Sequence, residues 1–170
     1  MDVVARADED LLIDLLNTTS VVDGRRTDEL TDDAGQAWAR AHGGAGLTEE
    51  VATLRRVRDA VQEVIHGAAD PQDVAADVEK VAVHPVWREG SLGWEVQAPA
   101  EQVLASRALL AWAVVHERSP GRLRPCANPE CCRFLLDRSN ANTARWCSMA
   151  LCGNRVKARR HYRRTRADEQ

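Results

Sequence analysis

The chain has 170 residues, 44% hydrophobic and 29% charged, an ordinary composition for a globular protein able to bury a core without disulfides. No apolar run reaches the length of a membrane span. The acidic start MDVVARADEDLLIDLL lacks the basic-then-apolar pattern of a secretory signal, so secretion is not expected and the Asn17-Thr18-Thr19 acceptor pattern carries no weight. The net charge of −3 hides a division: residues 1–120 carry 11 basic and 22 acidic residues, net −11, whereas residues 121–170 carry 12 and 4, net +8. Such asymmetry points towards an anionic partner for the basic part. Lys80 and Lys157 are the only lysines among 23 basic residues. That arginine bias suits a GC-rich bacterial genome, and with no secretory signal a cytoplasmic location is expected.

In chain order, Ala7–Asn17 carries Leu11, Leu12, Leu15 and Leu16 as an apolar helical stripe. Thr18–Glu29 reads as a loop or short extended segment around Asp23-Gly24. A short helix capped by Thr31 or Asp32 runs past Trp38 to Ala41 and stops at Gly43-Gly44. Thr48 opens a capping pattern for the clearest helix, with Val51, Leu54, Val57, Val61, Val64 and Ile65 on one side. Gly67 and Pro71 end it, and Gln72–Val81 forms one more helix. Val83–Gln97 reads as a β-hairpin around a Gly-Ser-Leu-Gly turn. A last helix spans about Glu101–Glu117 and ends at Ser119-Pro120-Gly121, which marks a boundary between an α-rich domain, 1–120, and a small module, 121–170.

All five cysteines lie in that module. Cys126-x4-Cys131 and Cys147-x4-Cys152 form two short-spaced pairs separated by fifteen residues, the pattern of a closed four-thiolate zinc site, because each tight turn presents two ligands to a tetrahedral ion. One structural zinc would supply folding energy to a segment poor in apolar residues. Cys132 breaks the count; equal spacing of the pairs favours Cys131 as ligand and leaves Cys132 a spare buried thiol. Disulfides are disfavoured by the odd count and the missing signal, and an iron–sulfur cluster by the lack of Cys-x2-Cys packing. Between the pairs, Arg133–Leu136 and Ala144–Trp146 are expected to pair as strands across the polar turn Asp137–Thr143. Phe134 and Trp146 then serve as a minimal core beside the metal. A helix follows Cys152 to about Thr165, giving a treble-clef-like module of short hairpin and basic helix. The fold class is therefore α+β, mostly helical.

On that helix Arg155, Lys157, Arg159, Arg160, Arg163, Arg164 and Arg166 cover an arc of about 200° at about 100° per residue. Ala158, Tyr162 and Thr165 lie opposite. Seven cations on one helix are poorly explained by packing, and arginine forks suit phosphate oxygens and guanine edges. Asn154 and Arg155, at the expected helix start, are the first candidates for phosphate or base-edge contact; Asn154 can equally tie the knuckle together. With Arg145 added, the candidate nucleic-acid contacts are Arg145, Asn154, Arg155, Lys157, Arg159, Arg160, Arg163 and Arg164. The competing reading is a solvated face, or one that docks on the acidic domain or on a protein partner. His42, His66, His84, His116 and His161 are scattered, no phosphate-cradling loop or hydrolase elbow is present, and four cysteines would close a zinc to catalysis, so no enzyme is expected.

Arg145-Trp146-Cys147-Ser148-Met149 followed by Cys152-Gly153-Asn154-Arg155, with the first knuckle Cys126-Ala127-Asn128-Pro129-Glu130-Cys131, resembles the bacterial CGNR zinc-finger family over about 124–161. Leu15-Leu16-Asn17-Thr18 resembles the opening of the ABATE domain that precedes this finger. The resemblance implies a stress-induced transcriptional regulator whose basic finger binds duplex DNA. Cys132 and the weakly basic Ser139–Asn142 turn depart from that pattern. The expectation is a homodimer reading two half-sites, with a small-molecule effector or pairing role for the N-terminal domain and no membrane partner. The alternative is a small-molecule or protein-binding adaptor in which zinc is only a clamp and Trp38, Trp87, Trp94 and Trp112 line a pocket. RNA is a third possible partner.

Overall fold

The computed structural model describes residues 3–22, 24–88, 90–159 and 165. Helix α1 (Arg6–Leu16) starts where Asp8 folds back to accept the Ala5 N–H at 2.9 Å, and it buries Leu11, Leu12, Leu15 and Leu16. It leads into a hairpin, β1 (Thr19–Val22) and β2 (Arg25–Asp28), paired antiparallel with Thr19 opposite Asp28. The segment expected as loop or short extended chain is thus a hairpin, closed at Gly24 with φ +77°, a left-handed angle suited to glycine. Helix α2 (Asp32–Ala41) follows the extended Thr31.

Helix α3 (Thr48–His66) places Val51, Leu54, Val57 and Val61 in the core and ends on left-handed Gly67. Its cap differs from expectation. Leu47, not Thr48, occupies the N-cap, and buried Glu50 reaches back to accept the N–H of Gly46 at 2.6 Å and of Leu47 at 3.4 Å. Helix α4 (Pro71–Val78) is shorter than expected and is capped by Asp70, which accepts the Gln72 N–H at 2.8 Å. Strands β3 (Ala82–Arg88) and β4 (Ser91–Gln97) form the expected hairpin, but Arg88 stands opposite Ser91, so Ser91–Gly93 belong to β4 rather than to the turn. Trp87 stands 73% exposed near its tip.

Helix α5 (Val103–Arg118) runs through the centre, burying Leu104, Ala105, Ala108, Leu109, Ala111, Trp112 and Val115. Helices α1, α3 and α4 pack against it. Strand β5 (Leu123–Pro125) then pairs antiparallel with β6 (Phe134–Leu136), Pro125 opposite Phe134. This corrects the expected pairing of 133–136 with 144–146. The first cysteine knuckle is itself the tip of a hairpin, so the strand entering Cys126 pairs with the one leaving Cys131, while residues 144–146 form no strand. Phe134 is also not confined to a local zinc core. It is 1% exposed within the main hydrophobic cluster, with its ring 5.2 Å from that of His66. Among the described residues no helix is long and apolar enough to cross a membrane.

Candidate metal centre and basic helix

The Sγ atoms of Cys126, Cys131, Cys147 and Cys152 lie within 4.8 Å of one another. The separations are 3.8 Å for Cys131–Cys147 and 3.7 Å for Cys147–Cys152. A tetrahedron with zinc–sulfur bonds of about 2.3 Å has edges of about 3.8 Å, so the donor set fits one structural zinc in both chemistry and span. Backbone and side-chain donors surround the sulfurs as thiolates require. The Cys147 N–H points at Cys126 Sγ, the Arg133 N–H at Cys131 Sγ, and the Asn128 side-chain amide at Cys152 Sγ, each at 3.5 Å. As bare thiols the four oppose one another. Burial leads in pushing Cys131 up to about 11 and Cys147 upward too. Burial also raises Cys152, but the Asn128 amide and the neighbouring thiols outweigh it and leave Cys152 below its ordinary value. A divalent cation reverses this balance by favouring every thiolate at once.

Cys132 stays outside the cluster. It is half-buried rather than fully buried, and its Sγ turns to the Thr19 carbonyl at 3.5 Å. Successive side chains of an extended chain face opposite ways, so only one of the two adjacent cysteines can face the site.

Two residues missed by sequence reasoning hold the module together. Asn128, 1% exposed, serves the site as described and also accepts the Glu130 N–H at 3.3 Å; this is the knuckle-tying role considered for Asn154. Its position inside the Cys126-x4-Cys131 turn was the available signal. Asp137 accepts from Ser139 N (2.9 Å), Ser139 Oγ (2.6 Å), Ala144 N (2.7 Å) and Arg124 (2.6 Å). The Ser139 hydroxyl first, then the backbone amides and Arg124, hold its carboxyl down to about 2. Arg124 also donates to the carbonyls of Gly121 and Ala144, both at 2.6 Å, so the polar turn is a cage around a carboxylate.

The helical segment after Cys147 starts earlier than expected. Ser148 caps a π-turn, Met149–Gly153, in which the Gly153 N–H bonds to the Ser148 carbonyl at 3.1 Å. That wide turn carries Cys152 towards the other sulfurs, and α-helix continues over 154–159. Asn154 and Arg155 are therefore one turn inside the helix, not at its start. Gly153 leaves room for its neighbours, since a Cβ would come within 2.6 Å of Met149 Sδ and 3.1 Å of Trp146.

Asn154, Arg155 and Lys157 are exposed, as is Ala158, which was expected to pack inward. Arg159 pairs with Glu130 of the first knuckle, and together with Arg155 this holds Glu130 below the usual carboxylate range. Arg145 is exposed over the Trp146 ring, 5.4 Å from its centroid. Arg160, Arg163, Arg164 and Arg166 lie outside the described residues. Arg138, on the turn, instead pairs with Glu9 at 3.1 Å and Asp10 at 2.7 Å of α1. Trp38, Trp87, Trp94 and Trp112 do not share one pocket. Trp112 is core, Trp38 stacks on His42 with ring centroids 3.8 Å apart, Trp87 is at the surface, and Trp94 lines a separate cleft.

Residues 9–118 match the ABATE family, described as "Putative stress-induced transcription regulator". The chain belongs to the ABATE family. Residues 122–165 match the CGNR zinc finger, so the ABATE segment precedes the finger in the order its motifs implied. Both matches are of regulator or zinc-finger type rather than enzyme families. A comparison with curated proteins gave no match. In this ABATE–CGNR chain the thiolate cluster supplies structural zinc binding, and the basic helix issues directly from its fourth ligand.

Proposed function

We propose that the protein is a zinc-dependent, DNA-binding transcriptional regulator of the bacterial cytoplasm, without enzymatic activity. The reading rests on one observation: an exposed cationic helical stretch, with Arg155 and Lys157 in solvent, is anchored through Cys152 to the four-thiolate cluster. Zinc in this role orders the helix. Arg145, Asn154, Arg155, Lys157 and Arg159, continued by Arg160, Arg163 and Arg164, make phosphate and base-edge contacts. A small single finger favours a homodimer on two half-sites for specificity.

Titration of the zinc-loaded full-length chain against random-sequence duplex DNA at several salt concentrations tests this. The expected result is a log K that falls linearly with log salt, by about 0.9 per phosphate contact. Absence of binding at low salt overturns it. The adaptor reading draws on Arg138, whose ion pairs with Glu9 and Asp10 dock a cation of the zinc module on the acidic domain. Under that reading acidic partners bind and duplex DNA does not. Equal affinity for duplex RNA would move the assignment to RNA.

A further inference from the structure

The β1–β2 hairpin belongs to the acidic N-terminal domain, yet it stands beside the zinc module. Cys132 Sγ donates to the Thr19 carbonyl at 3.5 Å, so β1 lies along the chain leaving the first knuckle. Further along β1, a groove of about 210 Å³ separates Ser20 and Val21 from Arg133, Leu151 and Arg155. Leu151 sits in the π-turn and Arg155 in the basic helix that follows it. The hairpin therefore flanks the start of that helix.

Strand register carries cations to this flank. Val21 stands opposite Arg26 and Val22 opposite Arg25, across paired strands about 4.8 Å apart. Val21, 40% exposed, thus has Arg26 on one side and Arg155 across the groove on the other. Arg25 and Arg26 are exposed and form no ion pair with a described residue. Arg56 and Arg88, exposed elsewhere in the same domain, are paired with Asp77 and Glu95. The carboxylates nearby are largely matched. Glu130 at the groove is taken by Arg159, and buried Arg58 takes Asp28 and Asp59 on the α3 side of Arg26. Arg55 offsets Glu63 in that same cleft. The hairpin is also held firmly at its base. Gln62 donates to Thr19 Oγ1 at 3.0 Å, Arg58 grips Asp28, and the Ser20 and Thr27 hydroxyls meet across the strands at 2.9 Å.

We infer that the β1–β2 hairpin is a second DNA-contacting element, with Arg25 and Arg26 gripping backbone phosphates beside the groove that the basic helix enters. The inference rests on the DNA-binding reading and adds to it a contact from the ABATE domain. A helix seated in a major groove about 12 Å wide has a row of phosphates on each flank. A cationic hairpin beside that helix meets one of these rows. Guanidinium forks suit phosphate oxygens, and a strand pair already anchored on α3 loses little freedom on binding. Such contacts position the protein on the duplex without reading its sequence. The two domains then engage DNA as one unit.

The test compares the zinc-loaded full-length wild type with the double variant Arg25→Gln, Arg26→Gln. A control of equal charge, Arg6→Gln with Arg88→Gln, alters the start of α1 and the end of β3 instead. Anisotropy with random-sequence duplex DNA is read at several salt concentrations. The hairpin variant is expected to lose about tenfold in affinity at low salt and to flatten the slope by about 1.8, two phosphate contacts. The control is expected to lose less than about twofold. Zinc content and circular dichroism establish that the variants fold. Should the hairpin variant not fold, phenylglyoxal modification of the wild type carries the test, with DNA expected to protect Arg25 and Arg26 but not Arg6. An unchanged slope in the hairpin variant, an equal loss in the control, or unprotected Arg25 and Arg26 in the DNA complex each overturn the inference. If Arg155→Ala with Lys157→Ala weakens binding and the hairpin variant does not, this inference falls and the regulator reading stands. Absence of binding by the wild type removes both.

Discussion

The side chain of Asn17 clasps the backbone of Phe134 at two points, across 117 residues of sequence. Phe134 N donates to Asn17 Oδ1 at 2.7 Å, and Asn17 Nδ2 donates to the Phe134 carbonyl at 3.2 Å. The end of α1 thereby supplies an amide partner to the free edge of β6, while the Phe134 ring enters the shared core. The zinc module and the helical domain are joined by hydrogen bonds as well as by packing. Asn17→Ala leaves two partly buried backbone groups unpaired and is expected to reduce stability by about 2 kcal/mol. Urea unfolding measures the loss, and the variant should still hold one zinc per chain.

The zinc ligands separate cleanly from Cys132 by substitution. Serine at Cys126, Cys131, Cys147 or Cys152 removes a thiolate from a closed site and should abolish stoichiometric zinc. Cys132→Ser, whose sulfur faces Thr19, should retain it. Metal analysis of the purified variants reads this directly. Chelation of the wild type should unfold the cysteine module while most helical signal from the N-terminal domain survives.

Arg58, 3% exposed, holds Asp28 through two hydrogen bonds of 2.6 and 2.9 Å and donates to Thr18 at 3.0 Å. Burial works against the Asp28 carboxylate, but the Arg58 hydrogen bonds and charge outweigh it and lower its pKa. A lowered carboxyl contributes stability that is complete above its unfolded value of about 3.9 and is lost as pH falls through the folded value. Asp28→Asn should therefore cost about 2 kcal/mol at pH 7, with the difference from wild type shrinking below pH 4. Urea midpoints of the two proteins compared at pH 7 and pH 3 check the sign. Zinc leaves both proteins in acid, so the comparison remains like for like.

Removing Arg155 and Lys157 together (Arg155→Ala, Lys157→Ala) should lower affinity for random duplex DNA and flatten the salt slope by about two phosphate contacts. Glu130→Gln should act oppositely. It frees Arg159 from its ion pair and deletes a negative charge beside the basic helix, so affinity at low salt rises. Fluorescence anisotropy at two salt concentrations distinguishes both effects from misfolding, since a folding defect would neither flatten the slope by two contacts nor raise affinity at low salt.

Much of this protein is written locally. The leucine stripe of α1, the valine stripe of α3 and the paired Cys-x4-Cys turns repeat at the spacing of the structure they form, so their elements and the ligand set are legible from neighbours in the chain. The charge division is legible for the same reason, being a sum over segments. Near-misses occurred where two local signals competed. Glu50 rather than Thr48 completes the cap of α3, because its carboxylate is long enough to reach the Gly46 and Leu47 amides. Ser91–Gly93 joined β4 rather than the turn because pairing from Ala82 to Gln97 fixed the register.

What only the tertiary structure decided involves groups brought together by closure of the chain. The β5–β6 pairing depended on which strand the first knuckle folds back upon, and the Asp137 cage on Arg124 reaching across that hairpin. The Asn17 clasp, the Arg58–Asp28 pair, the turning of Cys132 away from the metal site and the groove between β1 and the basic helix arose in the same way. A hydrogen bond over a hundred residues leaves no periodicity behind it. Its partners are chosen by the packed core, which sets where two distant backbones meet and which polar atoms lose their water.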